Sequence, residues 1–288
     1  MPDAHDPIHA ELAQPVSGRR WLFAGAMVGV AAVLLGLAIA LTAREMRRPK
    51  PLPADSPDAL VASLFSTVEK GRPDLIPSLI YAENEDRRLV LDALADLFDS
   101  LDSLASTIQE RFPAEVETLR AQPATGLSGA LTGAQRAASS GDRSGSLVSN
   151  ANIRALLADP FAVIRDARGR VSTAVIADDL AAVLIDSKPA FGVGLTLRRA
   201  NGRWWIDLPL NFPMISRYVP QNREEHEILA SMIQVVDNAV LDLRDDIRDG
   251  KCANLREASQ LAGEKAFAPI ALCAVAYDRA IKARAAVN

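Results

Sequence analysis

Few titratable side chains of this chain are spaced as a catalytic or metal site requires. His226 is the one histidine beyond the first ten residues, and the surrounding stretch REEHE predicts a solvated residue in the first turn of a helix. It belongs to no Ser/His/Asp order, nucleophile elbow or metal spacing. His5 and His9 could share a metal only on a helix, which Pro7 between them opposes. The sequence therefore predicts no catalytic, cofactor-binding or metal-binding residue.

Cys252 and Cys273 are the only cysteines, and each lies in a helical pattern near the C-terminus. A disulfide between them would close a helical hairpin, as is typical of proteins in an oxidising compartment. Two buried, reduced cysteines in a cytosolic protein would give the same sequence. Because there is no Cys-x-x-Cys motif and no Cys/His cluster, neither a zinc site nor a redox centre is predicted.

The stretch NGRWWIDLP, residues 201–209, places two tryptophans side by side after a turn dipeptide. Asn-Gly favours a two-residue type I′ hairpin, because both positions require positive φ. Strand alternation then sends Trp204 and Ile206 to one face and Trp205 and Asp207 to the other. The first pair is expected in the core. Trp205 and Asp207 are predicted to contact a partner or ligand, unless the C-terminal helices cover the indole.

Residues 21–43, WLFAGAMVGVAAVLLGLAIALTA, contain neither a charge nor a proline. As a helix they reach roughly 35 Å at about 1.5 Å per residue, which is enough to cross a bilayer. We therefore predict a transmembrane anchor over residues 19–44, with the lipid bilayer as its partner. A cleaved signal peptide is the alternative, because Ala38-Ile39-Ala40 resembles a cleavage site, but apolar signal regions span only about 7 to 15 residues.

Small residues recur along this apolar segment at spacings of four, three and four: Gly25, Gly29, Ala32 and Gly36. These spacings place them on one helix face, which is the small-xxx-small pattern of helix pairs in membranes. Gly25, Gly29 and Gly36 are therefore predicted as transmembrane helix contacts in a homo-oligomer.

Basic residues flank the apolar segment on both sides, and counting them alone favours a cytosolic large domain. Two other features favour export of the large domain instead: a single N-terminal span precedes one large domain, and the number of cysteines is even. We predict a single-pass protein of a bacterial-type cytoplasmic membrane, with the large domain on the periplasmic side. The net charge of −4 and the pI near 5.5 argue against a nucleic-acid partner.

The period of the apolar residues changes along the chain and indicates the order of elements. Helical periodicity predicts helices at 57–70, 73–82 and 83–111, with a shorter one near 153–157. Alternation with a period of two predicts a meander of strands at 171–177, 181–187, 190–199 and 203–210. Three further helices are predicted at 222–250, 253–263 and 267–285.

These patterns predict an α+β fold. It comprises an N-terminal transmembrane helix, helices packed on a bent, cone-like antiparallel sheet, and a C-terminal helical region. The predicted domains are a disordered tail (1–18), the anchor (19–44), a proline-rich linker (45–56), an α+β domain (57–212) with a Gly/Ser-rich insertion (121–150), and the helical region (222–288).

Three helices followed by a meander whose last hairpin reads LTLRRANGRWWIDLP resemble the nuclear transport factor two-like superfamily over about residues 56–210. Gly202, Trp204 and Ile206 occupy the places of its Gly-x-Trp-x-Ile hairpin. The resemblance implies a cone formed by a bent sheet and helices. It implies little about chemistry, because this superfamily includes isomerases, dehydratases, cyclases and non-catalytic binding and assembly modules.

Three functions are compatible with this sequence. The leading hypothesis is a non-catalytic, membrane-anchored interaction or assembly domain without a cofactor. The alternative is a small-molecule or lipid-binding cone, to which Gly192 and Gly194 would give space. The third is an isomerase- or dehydratase-like enzyme, which needs an acid facing an apolar cavity. Strand alternation places Asp207 outside such a cavity. The residues that line the cavity therefore distinguish the three hypotheses.

Overall fold

The computed structural model describes residues 51–121, 150–190, 194–210 and 216–287. The helices in these ranges are α1 (Pro57–Glu69), α2 (Glu85–Arg111), α3 (Pro113–Arg120), α4 (Asn150–Ala158), α5 (Ala162–Ala167), α6 (Arg223–Arg248) and α7 (Leu255–Val287), with a 3₁₀ helix at Pro73–Leu79. The strands are β1 (Val171–Ala177), β2 (Leu180–Ile185), β3 (Lys188–Pro189), β4 (Leu195–Ala200) and β5 (Arg203–Asp207).

Local capping residues fix where the helices begin. The Ser56 hydroxyl accepts a hydrogen bond from the Ala59 backbone N–H at 3.1 Å, and Pro57 occupies the first helical position. Asn84 and Asn222 cap α2 and α6 in the same way. These side chains satisfy backbone donors that have no partner inside the helix, and for that reason such starts can be read from the sequence.

The strands form one antiparallel sheet in the order β1-β2-β4-β5, and β3 pairs with β2. The Asn201-Gly202 hairpin is confirmed, since both residues have positive φ, 54° and 75°. The strand predicted at 181–187 ends at Ile185: Asp186 and Ser187 form a turn with positive φ, and Lys188 pairs back with Ile185.

Helix α1 and the 3₁₀ helix cover one face of the bent sheet. The core between them contains Leu60, Leu79, Leu197, Trp204 and Ile206, all at most 6% exposed. The free edge of β5 is covered by chain from the N-terminal side: the Trp204 N–H donates to the Ala54 carbonyl at 2.7 Å, and the Tyr81 N–H donates to the Ile206 carbonyl at 2.9 Å.

The C-terminal helices pack against the N-terminal half of the fold. Helix α6 lies along α2, and α7 lies along α6. Their shared core includes Leu104, Ile108, Leu243, Ile247 and Leu255, each at most 2% exposed. The predicted pair of helices at 253–263 and 267–285 is corrected to the single helix α7, which contains Pro269. Packing along α6 supports the helix where the proline removes one backbone hydrogen bond.

The membrane prediction is corrected by the structure. No helix in the described part of the chain is long and apolar enough to cross a membrane. Helices α2 and α6 bury one face and expose charged residues on the other, which is the pattern of helices on a globular core. The described part of the chain is therefore α+β, with helices and a bent antiparallel sheet but without a helix that could span a membrane, and it does not support the predicted single-pass membrane localisation.

Several predictions concern residues that the structure does not describe. The following lie outside the described residues: the tail (1–18), the apolar segment 21–43 with Gly25, Gly29 and Gly36, residues 45–50 of the linker, the insertion within 122–149, and Gly192.

Candidate functional site

Trp205 lies half-buried on the outer face of β5 and is covered by its own hairpin. Its indole N–H donates to the Ala200 carbonyl at 3.2 Å, and the guanidinium carbon of Arg203 lies 4.6 Å from the ring centroid. Burial lowers the pKa of the Arg203 guanidinium, and the nearby charge of Arg88 adds to this effect. The alternation predicted for Trp204 and Trp205 is confirmed, because only Trp204 is in the core.

Asp207 lies on the same outer face and is paired within the chain. Arg198 on the neighbouring strand contacts its carboxylate at 3.0 Å, and the guanidinium carbon of Arg198 lies 5.2 Å from the centre of the Tyr81 ring. These contacts give both Trp205 and Asp207 partners on their own hairpin. A contact of either residue with another molecule stays a prediction.

A small apolar cavity separates the inner face of the sheet from α1 and α5. Its volume is about 80 Å³, and the described side chains that line it, among them Leu60, Phe65, Val163, Leu197 and Ile206, are all apolar. The Asp207 carboxylate is bound to Arg198 on the opposite face of the sheet. The described lining of this cavity therefore has no acid that could act as a general base.

A larger cavity, which we call the His226 groove, lies where α2, the chain after β5 and the first turn of α6 meet. Its volume is about 250 Å³. Most of its lining is aliphatic, and its polar side chains are Tyr81, Arg87, Tyr218 and His226. The groove lies outside the cone predicted from the sequence, because the sheet contributes to it only through residues that follow β5.

His226 is buried, contrary to the solvated position that its charged neighbours predicted. Its residue surface is 6% exposed, and its Nδ1 lies 2.8 Å from the Asn222 carbonyl oxygen. A backbone carbonyl can only accept a hydrogen bond, so Nδ1 carries the proton and Nε2 is the acceptor in the neutral ring. Nε2 has no hydrogen-bond partner among the described residues. Asn222, the helix cap, lies four residues before His226, and this spacing is the local signal that could have suggested the inward orientation of the ring.

A buried ion pair attaches the end of α7 to the start of α6. Arg284 contacts Glu225 at 2.6 Å, and their side chains are 15% and 1% exposed. Arg284 also donates to the carbonyls of Val219 and Arg217, and the Tyr277 hydroxyl donates to the Tyr218 carbonyl at 2.6 Å. Helix α7 therefore holds residues 217–219, which form one wall of the His226 groove.

The opposite side of α7 carries exposed apolar residues. Leu272 is 73% exposed and Val275 is 51% exposed. No acidic or basic residue occurs from 266 to 277. With Ala268 and Ala271 these two residues share one helix face, since their spacings are three and four. We call these four residues the outer face of α7.

Cys252 and Cys273 are free thiols in this structure. Cys252 precedes α7 and is buried, and burial raises the pKa of its thiol. Because α7 is continuous, Cys273 lies roughly 27 Å along the helix from Leu255, at about 1.5 Å per residue. The predicted disulfide needed two short helices folded back on each other, and this geometry is absent from the described region.

In the ranges that the structure describes, no group of three or more His, Cys, Asp or Glu side chains could hold a metal ion. No family model, no curated protein and no solved structure matches this chain. The resemblance to the nuclear transport factor two-like superfamily therefore stays a prediction.

Proposed function

We propose that this chain is a non-catalytic assembly domain that associates with a second copy of itself through the outer face of α7. The observation that carries the proposal is the exposure of Leu272 and Val275 in the middle of a helix segment without charges. Exposed apolar surface of this kind marks contact sites in folded proteins, because removing it from water is favourable.

The charges at the two ends of the outer face are complementary when two copies pair antiparallel. If Leu272 of each copy packs beside Val275 of the other, Glu264 comes level with Lys282 of the second copy. Glu264 lies about 14 Å before the centre of this pairing and Lys282 about 13 Å after it, at about 1.5 Å per residue. Both residues are exposed, and the pair that Lys282 forms with Asp278 of its own helix at 2.7 Å is exposed and therefore weak. The pairing is isologous, so the same ion pair forms at both ends.

A single helix pair buries less than the roughly 1,200 Å² that stable complexes bury. We therefore expect a weak, concentration-dependent dimer with a Kd in the micromolar to millimolar range. The cone cavity supports a non-catalytic domain, since its described lining has no titratable side chain.

Sedimentation equilibrium of the full chain over a range of concentrations tests this proposal. Leu272→Glu should abolish association, because it places two carboxylates near the twofold axis of the pairing. Leu89→Glu is the matched control, because Leu89 is an exposed leucine on α2, away from the outer face, and association should persist. The proposal is wrong if the two variants behave alike.

Charge reversal tests the antiparallel register. Glu264→Lys and Lys282→Glu should each weaken association, because each places like charges opposite each other at both ends. The double variant should restore association, because the ion pairs form again with exchanged signs. A double variant weaker than either single variant would contradict the register.

A further inference from the structure

The His226 groove combines an aliphatic lining with one ring nitrogen that has no hydrogen-bond partner among the described residues. Leu91, Leu94 and Leu229 from α2 and α6 are among its aliphatic residues. His226 is 6% exposed and lines the groove, and its Nδ1 is bound to the Asn222 carbonyl. Nε2 is accessible to solvent and can therefore accept a hydrogen bond from a small molecule in the groove.

The tautomer of His226 decides which chemical group that partner carries. Nδ1 donates its proton to a carbonyl, so Nε2 presents a lone pair to the groove. A hydroxyl group can donate to this lone pair, whereas an ether or a ketone cannot. The matching ligand therefore has a hydroxyl group.

The remaining polar side chains of the groove favour a neutral ligand. Arg87 is paired with Glu83 at 3.8 Å, so the one arginine among the described lining residues has its own counter-charge. The guanidinium of Arg198 lies over the Tyr81 ring, and that of Arg217 lies over the Tyr218 ring, at 5.2 and 4.5 Å from the centroids. Both tyrosine rings are held by these contacts.

The volume of the groove limits the size of the ligand. A cavity of about 150 Å³ holds benzene, with six non-hydrogen atoms, so in proportion a cavity of 250 Å³ holds about ten. Ten atoms correspond to one ring with a hydroxyl group and a short apolar chain. We propose that the His226 groove binds a small neutral phenol or alcohol, with its hydroxyl on Nε2 of His226 and its apolar part between α2 and α6.

This inference is independent of the outer face of α7, which lies on the opposite side of that helix from Tyr277 and Arg284. If the chain does not self-associate, the ligand-binding proposal still holds, because all described residues of the groove come from a single copy.

Calorimetric titration of the full chain with three matched probes near neutral pH tests the proposal. The probes are 4-propylphenol, its methyl ether 4-propylanisole, and 4-propylbenzoate. The phenol should bind about 3- to 10-fold more tightly than the ether, which is the range of one hydrogen bond. The benzoate should bind more weakly than the phenol. An ether that binds as tightly as the phenol, or a benzoate that binds more tightly, would overturn the assignment.

Three variants locate the binding site. His226→Leu removes the acceptor but keeps apolar volume, so the preference for the phenol over the ether should disappear. Leu94→Trp fills the groove and should abolish binding of both. Val163→Phe fills the cone cavity instead, and binding should be unchanged. A phenol preference that survives in the folded His226→Leu variant, or binding lost in Val163→Phe alone, would refute the site. If His226→Leu does not fold, the probe series and Leu94→Trp still decide.

Discussion

Replacing Arg284 with methionine should destabilise the fold strongly, because it leaves a buried carboxylate without a counter-charge. Arg284 contacts Glu225 at 2.6 Å, and Glu225 is 1% exposed. Without the guanidinium, the carboxylate retains only the Gln221 N–H at 2.9 Å and the Asn222 amide at 3.0 Å. Breaking a buried pair from one side costs about 3 to 5 kcal/mol. The two remaining hydrogen bonds favour the lower end, about 3 kcal/mol.

Urea unfolding followed by far-ultraviolet circular dichroism measures this change in the free energy of unfolding. Arg223→Met is the matched control, since Arg223 pairs with Glu227 and the two side chains are 77% and 50% exposed. It should cost less than about 0.5 kcal/mol, as exposed pairs do. The double variant Glu225→Gln/Arg284→Met should lose less stability than the two single variants summed, because it removes both charges. A loss below about 1 kcal/mol for Arg284→Met, or additive losses, would refute the reasoning.

Two further predictions concern Tyr277 and the thiols. Burial, with a smaller contribution from the charge of Glu225, raises the pKa of Tyr277 to about 12, so one of the three tyrosines should titrate there by tyrosinate absorbance. The folded pKa lies above the unfolded value of about 10, so this contribution to stability is complete below pH 10 and is lost as the pH rises through 12. Tyr277→Phe should remove that titration step, and loss of a tyrosine with an ordinary pKa would contradict the assignment. Without reductant, a thiol reagent should label Cys273 before Cys252, because Cys252 is buried and burial raises its pKa. Two thiols that stay unreactive after unfolding would indicate the disulfide instead.

Predictions that depend on a few neighbouring residues agree with the structure. The helices predicted to begin at residues 57 and 222 begin within one residue of these positions, next to the caps Ser56 and Asn222, and the Asn201-Gly202 turn has the expected positive φ at both residues. The hydrogen bonds of these features lie within four residues of each other, so no distant contact was needed to predict them. The opposite faces of Trp204 and Trp205 could be predicted for the same reason, because the alternation of side chains along a strand depends only on the local backbone.

Predictions that depend on distant contacts were less successful. The sequence predicted two C-terminal helices at 253–263 and 267–285, but packing along α6 supports one continuous helix. His226 lies among charged neighbours, yet the first turn of α6 faces the His226 groove across from α2. Sequence periodicity shows that a helix has an apolar face, but it does not show which helix covers that face.

The sequence by itself determined the order of the longer helices and strands from α1 to α6, the Asn201-Gly202 turn, and the opposite faces of Trp204 and Trp205. These properties follow from backbone geometry and hydrogen bonds between near neighbours. The tertiary structure alone decided that Arg284 pairs with Glu225, that the cone cavity is small and apolar, and that His226 lines a second cavity. Each of these depends on residues far apart in the chain, which come together only when burial of apolar surface packs the elements against one another.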